Sequence, residues 1–261
     1  MITWIASTPD RRLMERDIAA NGAASENGLA LTGESLQQIQ GFGGCFNELG
    51  YLAMERYLDE QSKETIFREL FSPDELNFTF NRAPVGARVW ATGGPAGKTS
   101  NGRMNLAGTG SYPTESECGD GTNSWAYAEY VFHLINHYFK NGATAYVYWN
   151  MVLSEIVSTW GWQQNSLYAV DSRKGTFTRT PEWYVMRHFA TYVRPGATLL
   201  KTTGHFNAMG LVFRNPDGTL AAVVQNALEK PMDFSFTDPA GEDRCFTVTL
   251  EPRSFNTFVV E

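Results

Sequence analysis

The chain has few of the side chains that hold metals and cross-links, with 3 cysteines and 4 histidines in 261 residues. Cys45, Cys118 and Cys245 are odd in number and lack the paired spacing of a zinc site. A complete disulfide framework is therefore excluded, and a reducing compartment is the simpler expectation. His133 and His137 stand four apart without a third ligand, whereas a protein zinc site needs at least three, so the sequence implies neither metal nor cofactor. Basic runs are also missing. With a formal net charge of −7 there is no electrostatic footprint for nucleic acid or an anionic membrane surface. No stretch approaches the ~20 apolar residues of a membrane span. The opening MITWIASTPDRRLMERD has no basic leader followed by an apolar run, so the expected location is cytoplasmic. There is no Gly-x-Ser-x-Gly elbow for an esterase. GGPAGKTS fails as a phosphate loop, because Gly93 and Gly97 are separated by three residues rather than four.

A composition 43% hydrophobic and 13% aromatic is sufficient for a substantial core. Ile2 to Ala6 reads as an edge strand, followed by a polar loop to Ser35. Gln37 to Glu48, QQIQGFGGCFNE, crowds three glycines around one phenylalanine and reads as a tight turn with close backbone approach. Apolar residues at three- and four-residue steps predict a helix over 47–71, broken near Asp59 to Ser62, and a second over 124–140 that ends before Gly142. LNFTFNRAPVGA and ATAYVYWNMVL read as strands, STWGWQQNSLYAVD as an aromatic loop, and TPEWYVMRHFATYVRPG as a third helix. From Thr198 onward short strands alternate with turn signals, Asp217-Gly218 marking a hairpin. The order predicts βα units followed by an antiparallel sandwich.

Six ordered motifs, QQIQGFGGCFNE, FNRAPVGA, TESECGDGTNSW, YVYWNMVL, TWGWQQNSLYAVD and PEWYVMRHFATYVRPGATLL, resemble glycoside hydrolase family 30, which includes glucosylceramidases and β-xylosidases. The resemblance covers Ser35 to Ala87 and Tyr112 to Glu261. It implies α/β plus all-β architecture: a (β/α)8-type barrel over 36–196 and a β-sandwich from 1–35 and 197–261. It also implies a retaining β-glycosidase without cofactor, with Glu115 as nucleophile; members with Ser-Glu before the cysteine would point to Glu117 instead. Arg82, Trp149, Asn150, Trp162 and Asn165 are implied around the sugar. The residue types agree in kind, since a glycosidase needs a carboxylate, groups that hold it ionised, and aromatic faces for the sugar. Glu115 and Glu117 would equally suit the acidic start of the following helix.

The barrel is short. Phe78 to Val193 is about 115 residues against ~250 for a complete (β/α)8 barrel, enough for about three βα units. The family's acid/base glutamate would fall between RAPVGA and TESEC, where Arg88 to Ser111 contains no acid at all. A working enzyme would have to recruit Glu117, Asp120 or Glu155. Three barrel strands, expected to be the family's first, seventh and eighth, would leave open edges, which predicts a homo-oligomer that covers them. The alternative to an enzyme is a non-catalytic carbohydrate-binding remnant.

Overall fold

The computed structural model describes residues 1–18, 27–82, 119–155, 164–241 and 244–261. Among these, one sheet dominates: β1 (Ile2–Ser7), β2 (Met14–Arg16), β3 (Gly28–Gln38), β10 (Thr198–Thr203), β11 (Gly210–Arg214), β12 (Leu220–Asn226), β13 (Met232–Thr237), β14 (Phe246–Leu250) and β15 (Ser254–Val260). Its spatial order is β14-β13-β3-β10-β11-β12-β15-β1-β2. Every pairing is antiparallel except β13 with β3, which is parallel.

Strand β12, LAAVVQN, is buried at all seven positions, as expected of a strand covered on both faces. Leu220, Ala222 and Val224 join an inner core with Trp4, Phe234, Phe246 and Phe258. Ala221 and Val223 turn the other way, into a core shared with the helices. The strand's period of two thus serves two cores at once. Trp4 anchors the inner one: its ring stacks on Phe258 at 5.5 Å and its Nε1 donates to Asn256 Oδ1 at 3.0 Å.

Two expectations are corrected here. Ile2–Ser7 is not an edge, because it lies between β15 and β2. Part of the polar stretch read as a loop is the 11-residue strand β3. Only its first half, around Leu29 and Leu31, is buried, so the exposed remainder carries polar side chains and gives no apolar alternation.

The helices confirm the periodic reading. α1 (Glu48–Tyr57) and α2 (Glu60–Phe71) are separate, each started by a side-chain cap: Asn47 Oδ1 accepts from Gly50 N at 3.0 Å and Asp59 Oδ1 from Ser62 N at 2.8 Å. α3 (Trp125–Lys140) is capped by Ser124, and α4 (Pro181–Ala190) begins with proline at its first turn. α3 and α4 bury Phe132, Phe139, Val185 and Phe189 against the large sheet; burying such side chains contributes roughly 1.5–3 kcal/mol each. Among the described residues, no helix is long and apolar enough to cross a membrane.

Among the described residues, three short parallel strands form the barrel remnant. β4 (Gly41–Cys45) is central, flanked by β5 (Phe80–Arg82) and β6 (Ala145–Tyr148). The glycine run read as a turn is therefore the middle strand. The close approach inferred from it is real, since a Cβ at Gly43 would collide with the Phe80 carbonyl. Glycine lets β4 lie against β5, and its lack of side chains hides the strand pattern. The strand expected to be the family's seventh, before Glu115, lies outside the described residues. ATAYVYWNMVL divides into β6 and β7 (Val152–Ser154), the latter in a third sheet with β8 (Tyr168–Asp171) and β9 (Thr176–Arg179); β8 also converts the end of the expected aromatic loop into strand. The result is a partial barrel joined to a sandwich.

A buried polar cluster ties this half together. The Glu69 carboxylate, 4% exposed, takes a bidentate contact from Arg179 and the Tyr168 hydroxyl at 3.1 Å, while Trp183 Nε1 donates to that hydroxyl at 2.6 Å. α2, β8, β9 and α4 meet at one satisfied charge.

Candidate active site

Ligands of parallel α/β sheets bind beyond the carboxyl ends of the strands, and there the three strands of the remnant bring together Asn47, Arg82, Trp149 and Asn150. Pairing continues past the strands themselves: Phe46 N donates to Arg82 O and Met151 N to Cys45 O, both at 3.1 Å. The Arg82 guanidinium lies 4.7 Å from the centre of the Trp149 ring, a cation–π distance. Trp149 Nε1 donates to Gln164 Oε1 at 3.1 Å, fixing the ring edge, with one face of the ring toward Arg82.

Asn150 is 1% exposed and its amide is fully used. Its Oδ1 accepts from Asn47 Nδ2 at 2.7 Å, and its Nδ2 donates to Gln164 Oε1 at 3.0 Å and to Asn165 O at 3.3 Å. Its place in the site is thus to hold Asn47 and Gln164. Asn165 is likewise buried: Nδ2 donates to Glu182 Oε1 at 2.5 Å and Oδ1 accepts from Gly121 N at 2.7 Å. Of the residues anticipated around a sugar, Arg82 and Trp149 are the half-buried pair, while Asn150 and Asn165 support from below. Glu115, Glu117 and Trp162 lie outside the described residues.

Asp120 and Glu155, the other acids considered for acid/base work, are both held as carboxylates. Hydrogen bonds from the Thr122 backbone and hydroxyl pull the Asp120 carboxyl below its usual range. Those from the Ser172 hydroxyl and backbone do the same for Glu155. A group stabilised as its anion is a poor proton donor. Glu182 is the opposite case. It is 0% exposed, and burial pushes its carboxyl up to about 7.

Sequence reasoning missed Asn47, Gln164 and Glu182. Asn47 was detectable as a polar residue before a helix, the usual cap signature. The other two carry no local signal, because their roles depend on contacts made across the chain. Between α1 and the β7–β8–β9 sheet a cleft of about 560 Å³, lined by Leu49, Leu52, Tyr57, Val170, Arg173 and Gln164 among others, opens beside this cluster. Gln164, Gly121 and Glu155 line it as well as belonging to the residues described above.

Comparisons with known proteins agree with this architecture. The model of the glycosyl hydrolase family 30 beta sandwich domain matches residues 200–258. "Putative glucosylceramidase 4" of Caenorhabditis elegans is 27% identical over 143 residues, covering 52% of this chain and 27% of the relative, so the match spans about a quarter of that protein's length. In structure, SrfJ from Salmonella typhimurium superposes with a TM-score of 0.75 at 16% identity, over 99% of both chains. The endo-β1,6-glucanase BT3312 does so with a TM-score of 0.70 at 12% identity, again over 99% of both. At such identities the two superpositions show the fold alone.

The matched sandwich model and the curated relative make the chain similar to one class of protein, the glycoside hydrolases. Within it, the chain is a shortened relative of glycoside hydrolase family 30.

Proposed function

We propose that the chain is a retaining β-glycosidase acting on a β-glucoside, a β-xyloside or a glucosylceramide-like substrate, with Glu115 as nucleophile. The observation that carries the reading is the Arg82–Trp149 pair at the carboxyl ends of the two strands that flank β4, 4.7 Å apart, with Trp149 held by Gln164. An aromatic face for the sugar's C–H bonds and a cation near a reacting carboxylate are what glycoside chemistry requires. Glu117 takes the acid/base role in this reading, since Asp120 and Glu155 are kept ionised by their hydrogen bonds. A retaining mechanism would place the two carboxyls ~5–5.5 Å apart. The cleft beside Gln164 accommodates whatever the sugar is attached to.

The second reading, a carbohydrate-binding protein without turnover, is favoured by the lack of any acid from Arg88 to Ser111. Hydrolysis of aryl β-glucoside, xyloside, galactoside and fucoside, with a β1,6-linked glucan added to the panel, separates the two. Wild type is expected to turn over at least one substrate, and Glu115→Gln to lose on the order of 10³-fold or more in kcat, as removal of a nucleophile does. Turnover that survives Glu115→Gln removes Glu115 from the mechanism. Absence of turnover in wild type, with retained sugar binding, establishes the second reading.

A further inference from the structure

The Glu182 side chain is fully enclosed, yet only one of its oxygens is satisfied. Oε1 accepts from Asn165 Nδ2 at 2.5 Å, whereas Oε2 has no partner among the described residues. A buried carboxylate in that state is costly, and it must either be protonated or repel what lies near it. What lies near it is a clamp. Asn165 Oδ1 accepts from Gly121 N at 2.7 Å, and Ser166 N donates to Asn123 Oδ1 at 3.0 Å. Gly119, at φ +80°, sits so close that a Cβ there would come within 2.5 Å of Asn165 Oδ1. Behind the clamp, the Thr180 hydroxyl donates to Ser166 O at 2.7 Å and Leu167 O at 3.1 Å. The first turn of α4 thus fixes Asn165 to Leu167, and these fix the Gly119–Asn123 turn. Glu117 precedes that turn by two residues and Glu115 by four.

We infer that Glu182 is a positioning residue: through Asn165 it holds the Gly119–Asn123 turn, which follows Glu115 and Glu117 in the sequence, in a geometry that depends on whether Glu182 carries a proton. The catalytic consequence rests on the glycosidase reading above; the link between Glu182 and the turn does not. The charged group facing Glu182 from the turn is Asp120, whose negative charge opposes ionisation of Glu182. Asp120 is itself held low by Thr122 and does not titrate near neutrality. With burial raising Glu182 to about 7, the carboxyl is neutral below that pH. Above it, a second negative charge faces Asp120 across Asn165, and the balance of contacts on Asn165, which holds the Gly121 amide, changes.

The test reads the turn directly. The sequence has two Asp-Gly pairs, Asp120-Gly121 and Asp217-Gly218, so labelling aspartate carbonyls with ¹³C and glycine amides with ¹⁵N isolates Gly121, with Gly218 in the β11–β12 turn as a control. The Gly121 amide is expected to shift between pH 5 and 9 with a midpoint near 7 in wild type, to stay flat in the isosteric Glu182→Gln, and Gly218 to stay flat in both. A Gly121 amide that does not titrate, or that titrates equally in Glu182→Gln, overturns the inference. In the glycoside assay the wild-type rate is expected to fall by up to about tenfold per pH unit above the midpoint, and Glu182→Gln to lose that fall. An unchanged alkaline limb in Glu182→Gln overturns the catalytic part. Should wild type hydrolyse no glycoside, the proposed function falls, while the Gly121 titration still decides the link.

Discussion

The sandwich and the barrel remnant use the same kinds of strand for opposite purposes. In the nine-stranded sheet, β12 and β15 are buried on both faces, and aromatic residues such as Trp4, Phe234 and Phe258 interlock. In the three-stranded sheet the strands have five, three and four residues, and their carboxyl ends present amides, a guanidinium and an indole. The first region spends its sequence on dispersion and hydrophobic burial. The second spends it on polar groups whose positions matter more than their contribution to stability. Stability and chemistry are thus separated in space, with α4 between them. That helix carries a buried titratable group for each side, Glu182 toward the site and His188 toward the sandwich.

The comparison can be broken most severely at its stable end. Phe258→Ala removes a ring packed on Trp4, Phe234 and Phe246 and is expected to cost ~3–5 kcal/mol, read as a lowered urea midpoint. Glu69→Ala tests whether the remnant has a comparable anchor of its own. It strands the Arg179 guanidinium and the buried Tyr168 hydroxyl, and breaking such a pair costs ~3–5 kcal/mol; a loss below ~1 kcal/mol would show that the cluster is not an anchor.

A pH series sharpens the contrast along α4. The Thr257 hydroxyl donates to the His188 carbonyl, so the ring's Nδ1–H donates to Thr257 Oγ1 at 2.8 Å and Nε2 accepts from Ser7 at 2.9 Å. Burial holds His188 neutral, its pKa lowered to about 3. The unfolded chain then binds more protons between about pH 6.5 and 3, and stability should fall as pH drops through that window. Glu182 has the opposite sign. The native state binds more protons between 4.5 and about 7, so its contribution is fully present below 4.5 and is lost as pH rises toward 7. Midpoints measured from pH 4 to 8 in wild type, His188→Gln and Glu182→Gln should resolve the two slopes, and a variant that leaves its own slope unchanged refutes that assignment.

Much of this was legible because local chemistry and tertiary structure agreed. The α1/α2 break appears in the sequence as Asp59, a cap, and the β11–β12 hairpin as Asp217-Gly218 between apolar runs. β4 was illegible because glycine has no side chain to show a period of two, and β3 because half of it faces solvent. In the site, Arg82 and Trp149 were accessible from ordered motifs. The buried roles of Asn150 and Asn165 were not, because a polar residue's partner across the chain leaves no mark beside it.

The sequence by itself determined the periodic elements, the caps, the absence of an acid from Arg88 to Ser111 and the resemblance to glycoside hydrolase family 30, because each is written in neighbouring residues. Only the tertiary structure decided that the glycine run is the central strand, that Asp120 and Glu155 are held as anions, and that Glu182 is enclosed with one oxygen unpartnered. Those properties come from groups far apart in the chain being packed against one another, and desolvation and hydrogen bonding act through distance in space rather than through order in sequence.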